Sequence, residues 1–256
     1  RVREGLMPAQ RSLLERIENR TAKVGVVGLG YVGLPLAVEL AKEGFEVFGF
    51  EVDAKRADRI NAGDSYIGDI SSQELASYTS KKGAKGSITA TTDFSKIKEL
   101  DTLSICVPTP LGKTRDPDIS YILGVRDQLA KTLHPGMLVI LESTTYPGTT
   151  EEIFLPLLQD TRLTPGQDVF LAFSPERIDP GNKKFQLRNT PKVVGGVTKA
   201  CTEVACALYG KIVDRVVPVG SPAAAEMTKI LENTFRAVNI GLVNEVAIMC
   251  KILGID

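Results

Sequence analysis

One segment, Val24-Gly25-Val26-Val27-Gly28-Leu29-Gly30-Tyr31-Val32-Gly33, constrains this chain more than any other. An apolar stretch of strand character runs directly into G-x-G-x-x-G, and a helical pattern follows it, the context that gives the motif its meaning. Gly28 permits a tight strand-to-helix turn, Gly30 lets the backbone approach a pyrophosphate, and Gly33 lets the helix lie close on the strand. Tyr31 and Val32 complete the phosphate-facing loop. The helix start then presents free N–H groups and the positive end of its dipole to an anion. This order commits the start of the chain to a βαβ unit with a dinucleotide site at its turn.

A second strand, 46–50, ends in Glu51-Val52-Asp53, at the distance from the glycines where an acid meets the adenosine ribose. Glu51 stands directly at the strand end and is the first choice for accepting both ribose hydroxyls; Asp53 is the second. A carboxylate there repels a 2′-phosphate, so NAD is expected rather than NADP. Arg56 follows closely and suits either stacking on adenine or a local ion pair.

Further strands are expected at 23–27, 87–91, 102–107, 138–142, 169–173, 192–194 and 216–219. Helices are expected near 32–43, 54–62, 120–132, 149–158 and 199–209, with Gly44 ending the first of them. Such alternation predicts an α/β fold, a doubly wound and mostly parallel Rossmann-type sheet. Residues 1–22 read as a leader arm or helix, and 23–219 as the NAD-binding domain. From Ser221-Pro222, a capped helix start, helical pattern continues to about Leu253 without a strand signal. Residues 220–256 are therefore expected to begin a central helical domain.

Composition closes off several function classes. The 256 residues carry 31 Lys+Arg against 31 Asp+Glu, and a net charge of zero argues against nucleic acid as the main partner. No apolar run reaches the roughly 20 residues that span a bilayer, and the charged first twenty residues lack the core of a signal peptide. Cys106, Cys201, Cys206 and Cys250 form no CxxC pair, as expected of a reducing, cytoplasmic setting. With His134 the only histidine, and reading as a turn residue before Pro135-Gly136, no metal site is expected.

In a doubly wound sheet the ligand lies beyond the carboxyl ends of the strands. Three of those ends run into polar elbows: Pro108-Thr109-Pro110, Glu142-Ser143-Thr144-Thr145, and Ser174-Pro175-Glu176-Arg177 continuing to Gly181. Turn chemistry alone explains any one of them; all three together favour a site. On the final helix Glu226, Lys229, Asn233 and Arg236 share one arc, with Met227, Ile230, Leu231, Phe235 and Val238 opposite. Periodicity reads the polar arc as a solvated face, and Cys250 as a core residue rather than a nucleophile.

Several of these segments, in order, resemble the UDP-glucose/GDP-mannose dehydrogenase family. The carriers are Gly28-Leu29-Gly30-Tyr31-Val32-Gly33-Leu34-Pro35, Val107-Pro108-Thr109-Pro110, Glu142-Ser143-Thr144, Phe173-Ser174-Pro175-Glu176-Arg177, and Ala225-Glu226-Met227-Thr228-Lys229 through Asn233. Within the family, 174–182, 191–196 and 231–240 are most similar to the branch acting on UDP-N-acetylglucosamine, with UDP-N-acetylmannosamine and UDP-glucose branches as alternatives. A hydroxyacid dehydrogenase shares the early motifs only, and a non-catalytic NAD-sensing module is a third reading.

The resemblance implies a two-step oxidation of a UDP-sugar C6 alcohol to the carboxylate, using NAD. Thr144 matches a threonine beside the nicotinamide and a reaction water. Glu176 matches a glutamate in acid–base work, Lys229 a lysine that stabilises oxyanions, and Asn233 its hydrogen-bonding partner. Glu176, Arg177, Lys229 and Asn233 fall on the substrate side, Thr109 at a cofactor contact, and Arg56 on the basic residue after the ribose acid. The family's catalytic cysteine and C-terminal nucleotide domain have no counterpart before Asp256, so the chain is expected to be the NAD-binding half of a longer enzyme and inactive alone. A homodimer through the long helix at 222–253 is also implied.

Overall fold

The computed structural model describes residues 6–79, 86–112, 116–177 and 186–255. Within them, short apolar segments pair into an eight-stranded sheet: β1 (Lys23–Val27), β2 (Glu46–Phe50), β3 (Ser87–Thr91), β4 (Thr102–Ile105), β5 (Leu138–Leu141), β6 (Phe170–Phe173), β7 (Lys192–Gly196) and β8 (Val216–Val219). Their order is β3-β2-β1-β4-β5-β6-β7-β8. Connections leave β1 in both directions, with Val24 beside Val47 of β2 on one side and Thr102 of β4 on the other. A crevice opens where the winding reverses, outside the carboxyl ends of β1 and β4.

The helices are α1 (Pro8–Glu18), α2 (Gly33–Lys42), α3 (Ala54–Asn61), α4 (Ser72–Thr79), α5 (Ser120–Thr132), α6 (Thr149–Thr161), α7 (Lys199–Tyr209) and α8 (Pro222–Leu253), with a 3-10 turn at Phe94–Glu99. Every residue of β4, β5 and β6 is buried, because helices cover both faces of the sheet. Two apolar clusters result. Leu34, Leu40, Val26 and Tyr209 belong to one, and Ile105, Leu141, Phe154 and Phe173 to the other. Gly44 stops α2 as expected, at φ 98° with its N–H on the Ala41 carbonyl.

Three details depart from the pattern reading. The strands expected at 102–107, 138–142 and 169–173 are shorter, so Cys106, Val107 and Glu142 fall in the loops at the rim. The short helix α4 and the 3-10 turn were not expected. Helix α6 continues to Thr161, past the expected end at 158, and stops where Arg162 turns left-handed at φ 57°. Of the two readings of the first 22 residues, 8–18 take the helical one: Leu13 and Ile17 are fully buried, and Arg16 pairs with Asp101 at 2.6 Å.

β7 runs antiparallel to β6, with Phe173 opposite Gly195 and Ala172 opposite Gly196. The residues that follow β6 therefore lie beside the beginning of β7, which brings Lys192 next to them, beneath the crevice.

The solvated-face reading of α8 is overturned. The first part of its polar arc, Glu226 and Lys229, is what docks it, while Asn233 and Arg236 stay exposed. Pro222, Ala225 and Glu226 are buried and Lys229 is half-buried, while Met227, Leu231, Phe235 and Val238 are exposed. From Asn233 to Met249 every residue is exposed. Cys250, expected in a core, is only half-buried on this projecting helix.

Candidate functional site

The crevice is a cleft of about 1030 Å³ lined from five strand ends, three α-helices and the 3-10 turn. One side is the glycine turn, 28–32, with Glu51 and Arg56 beyond it; the opposite side comes from α5 through Tyr121 and Gln128. Thr109, Thr144, Glu176 and Lys229 close the inner end.

Gly28 sits at φ 86°, where a Cβ would also lie 2.7 Å from the Cys106 carbonyl oxygen. A Cβ on Gly33 would come 1.9 Å from the Gly28 carbonyl oxygen, so this glycine supports the turn from behind and does not itself line the cleft. A Cβ on Gly30 would meet nothing within 4 Å. The space it would enter is cleft, as an approaching pyrophosphate requires.

The two acids after β2 separate cleanly. Glu51 is buried at the cleft wall, where its carboxylate accepts the N–H groups of Val52 (2.9 Å), Asp53 (3.3 Å) and Leu29 (3.4 Å). Asp53 instead caps α3 by accepting the Lys55 N–H at 2.9 Å, and it lies outside the cleft. Arg56 stacks its guanidinium 5.6 Å from the centre of the Tyr66 ring, and the Tyr66 hydroxyl donates to the Leu29 carbonyl at 2.7 Å. Burial raises the Tyr66 hydroxyl to about 12, assisted by the Glu51 carboxylate.

The polar elbows brace one another. Thr109 donates its hydroxyl to the Thr144 carbonyl at 2.7 Å, and Ser143 donates to the Val107 carbonyl at 2.8 Å. Beneath them Lys192 donates to Glu142 Oε2 at 2.6 Å and to Glu176 Oε2 at 3.0 Å, while the Tyr209 hydroxyl donates to Glu142 Oε1 at 2.7 Å. Burial alone would lower the Lys192 pKa, but the two carboxylates outweigh it and hold the ammonium above its ordinary range. Burial likewise pushes Tyr209 and the Cys106 thiol well up, and Glu142 adds to both shifts.

Lys229 reaches this corner from α8 and donates Nζ to the backbone carbonyl of Glu176. Burial lowers its pKa, against the opposing pull of Glu176. Its placement depends on Glu226, fully buried one turn earlier. That carboxylate accepts the Gly148 N–H (2.5 Å), the Thr150 N–H (2.9 Å) and the Thr150 hydroxyl (2.6 Å), thereby capping the N-terminus of α6.

Of the residues expected at the site, the structure brings Gly28, Gly30, Tyr31, Val32, Glu51, Arg56, Thr109, Thr144, Glu176 and Lys229 to the cleft. Arg177 and Asn233 are not brought there. Arg177 forms a two-pronged ion pair with Glu232 and donates to the Pro191 carbonyl at 2.9 Å. Asn233 is exposed on α8 with Arg236 3.4 Å away. The expected extension of the third elbow, through Asp179 and Gly181, lies outside the described residues. Sequence reasoning missed Lys192, Tyr209 and the docking role of Glu226. A lysine opening an otherwise apolar strand was the available signal for the first; the other two carried none. Among the described residues no group of three or more His, Cys, Asp or Glu is placed to hold a metal ion, and no helix is long and apolar enough to cross a membrane.

Sequence profiles place these features among known proteins. The profile of the UDP-glucose/GDP-mannose dehydrogenase family, NAD binding domain, matches residues 22–213, and that of the same family's central domain matches 223–256. The chain is 38% identical to a UDP-N-acetyl-D-glucosamine 6-dehydrogenase of Salmonella typhi over 91% of its own length and 54% of the relative's. It superposes on a UDP-N-acetylmannosamine dehydrogenase of Pyrococcus horikoshii with a TM-score of 0.83, at 35% identity, covering 91% of this chain and 55% of that one. A GDP-mannose dehydrogenase of Pseudomonas aeruginosa gives a TM-score of 0.81 at 28% identity, covering 91% and 54%. The chain thus spans about half the length of the relatives it matches.

Proposed function

The chain belongs to the UDP-glucose/GDP-mannose dehydrogenase family and carries its NAD-binding domain, and we propose that it is the NAD-binding half of a nucleotide-sugar 6-dehydrogenase. Residues 23–219 form the cofactor-binding unit in this reading, and 220–256 begin the central helical domain. The substrate is a UDP-sugar, first UDP-N-acetylglucosamine, with UDP-N-acetylmannosamine and UDP-glucose as alternatives. Its C6 alcohol is oxidised in two steps to the carboxylate. The observation that carries the proposal is the meeting, in one cleft, of a glycine turn, a ribose-type acid (Glu51), a carboxylate (Glu176) and a half-buried ammonium (Lys229).

The residues fit the cofactor. The space above Gly30 admits a pyrophosphate, the start of α2 attracts its charge, and Glu51 lies where ribose hydroxyls are bonded. Thr109 and Thr144 flank the inner end, and Arg56 the adenine end. When bound, NAD supplies the acceptor for the hydride that leaves the sugar carbon. Lys229 offers a poorly solvated ammonium to the oxygen on which negative charge gathers. Glu176 offers a carboxylate at the cleft wall to accept a proton from the alcohol or from water. Arg177 ties the Glu176 segment to α8 through Glu232; Asn233, one turn beyond Lys229 and exposed on the same helix, is assigned as the partner of Lys229 by the family resemblance alone.

The long apolar face of α8 suits a homodimer seam in the complete protein. The four free thiols fit a cytoplasmic setting. The test is NADH formation by the full-length protein with each of the three UDP-sugars, expected at two NADH per sugar. Lys229→Met should lower kcat about 100- to 1000-fold while NAD still binds. Full turnover in that variant would remove the oxyanion role, and NAD binding without oxidation of any UDP-sugar would favour a sensing module.

A further inference from the structure

The reaction outlined above makes no use of Lys192, although it is only 3% exposed and lies between two carboxylates at the cleft floor. A buried cluster of this kind is a poor source of stability, because well-packed apolar side chains of similar size serve as well or better. Its geometry suggests another use. Glu142 is held at both oxygens, by Lys192 at 2.6 Å and by Tyr209 at 2.7 Å. Glu176 takes the longer arm of the same ammonium, 3.0 Å, on Oε2, while its Oε1 accepts the Arg177 N–H at 2.6 Å. Two carboxylates therefore compete for one cation; both line the cleft beside Lys229 and Thr144, and Glu176 is the one the proposed reaction uses.

We infer that Lys192 and Glu142 are positioning residues that hold the Glu176 carboxylate at the cleft wall and set the pH at which it can accept a proton. The inference rests on Glu176 being the proton acceptor of the proposed reaction. Lys192 favours the ionised form of Glu176, and Glu142 opposes it both by its own charge and by drawing the ammonium away. The other groups facing this corner are the Cys106 thiol from the end of β4, Tyr209 from α7, and Lys229 with Glu232 and Arg236 behind it on α8. Tyr209 bonds Glu142 rather than Glu176, and Lys229 bonds the Glu176 backbone carbonyl rather than its carboxylate. The Lys192 ammonium is bonded directly to the Glu176 carboxylate.

The two partners act with opposite sign, which separates this role from a merely structural one. In the full-length protein the acid limb of kcat/KM marks the ionisation of Glu176. Lys192→Met should move that limb up by about 1–3 pH units, Glu142→Gln should move it down, and Lys192→Arg should leave it near the wild-type value. Carbon-13 NMR of glutamate-carboxyl-labelled protein, with the signal identified by Glu176→Gln, follows the same group without turnover and should show the same displacements. Limbs and titrations that stay in place, or that move in the same direction in Lys192→Met and Glu142→Gln, would overturn the inference. Where Lys192→Met does not fold, the double variant Glu142→Gln/Lys192→Met keeps the cluster closer to neutral and should still raise the Glu176 titration. If Glu176→Gln keeps full activity and its acid limb, the assignment of Glu176 as proton acceptor fails, and the inference resting on it fails with it. If Glu176→Gln removes the limb but neither partner moves it, the inference alone fails.

Discussion

At the scale of single residues, local hydrogen bonds divide two neighbouring acids. Glu51 gathers three backbone N–H groups at the cleft wall, whereas Asp53 spends its carboxylate on the first turn of α3. Glu51→Ala should therefore weaken NAD binding by roughly 2 kcal/mol, about 30-fold in Kd by calorimetry. Asp53→Ala should leave Kd nearly unchanged and lower stability by about 1 kcal/mol through loss of the cap. Equal losses of affinity in both variants would return the ribose role to the pair. The spacing of these acids from the glycines was legible in the chain; the choice between them was not, because it depends on which N–H groups each carboxylate meets in three dimensions. Lys192 is the sharper case. Its identity gave a hint, but its partners are 50 and 16 residues away.

Among the elements, α8 shows how an amphipathic pattern can be read with its faces reversed. Periodicity locates two faces but not which one is covered. Here Glu226 turns inward because the N-terminus of α6 offers two free N–H groups and a hydroxyl, and a buried carboxylate meeting three donors is well compensated. Glu226→Ala should cost roughly 3 kcal/mol in chemical denaturation, since it leaves those buried donors unpaired; Glu226→Gln should cost less. The alanine variant should also raise KM for the UDP-sugar, because Lys229 sits one turn further along the same helix. A stability change below about 0.5 kcal/mol would mean that α8 is held mainly by its apolar contacts. Strand ends likewise carried the motifs that lie on them, yet their exact ends depended on neighbours: β4 and β5 stop where the cleft opens, not where apolar character fades.

For the molecule as a whole, the exposed apolar side chains of α8 set the clearest expectation. Phe235, Val238, Leu242, Val243 and Val246 together present more apolar surface than a folded helix leaves to water without a partner. In the proposed homodimer these residues are covered. The full-length protein should therefore sediment as a dimer, and Phe235→Glu with Leu242→Glu should convert it to monomer without loss of NAD binding. A double variant that remains dimeric would move the seam elsewhere.

The sequence by itself determined the βαβ unit, the glycine turn, the acid after β2 and the polar elbows at the strand ends. Each of these follows from short-range causes: backbone freedom at glycine, side-chain alternation, and chemistry placed where a strand stops. The family resemblance pointed to Thr144, Glu176 and Lys229 as one site. Only the tertiary structure decided how that site is supported. Because β7 returns antiparallel to β6, its first residue lies beside the residues that follow β6, and Lys192 meets Glu142 and Glu176 at the cleft floor. A parallel β7 would have carried the same lysine to the opposite edge of the sheet. Strand direction and the covered face of a helix are properties of neighbours far along the chain, and no local pattern encodes them.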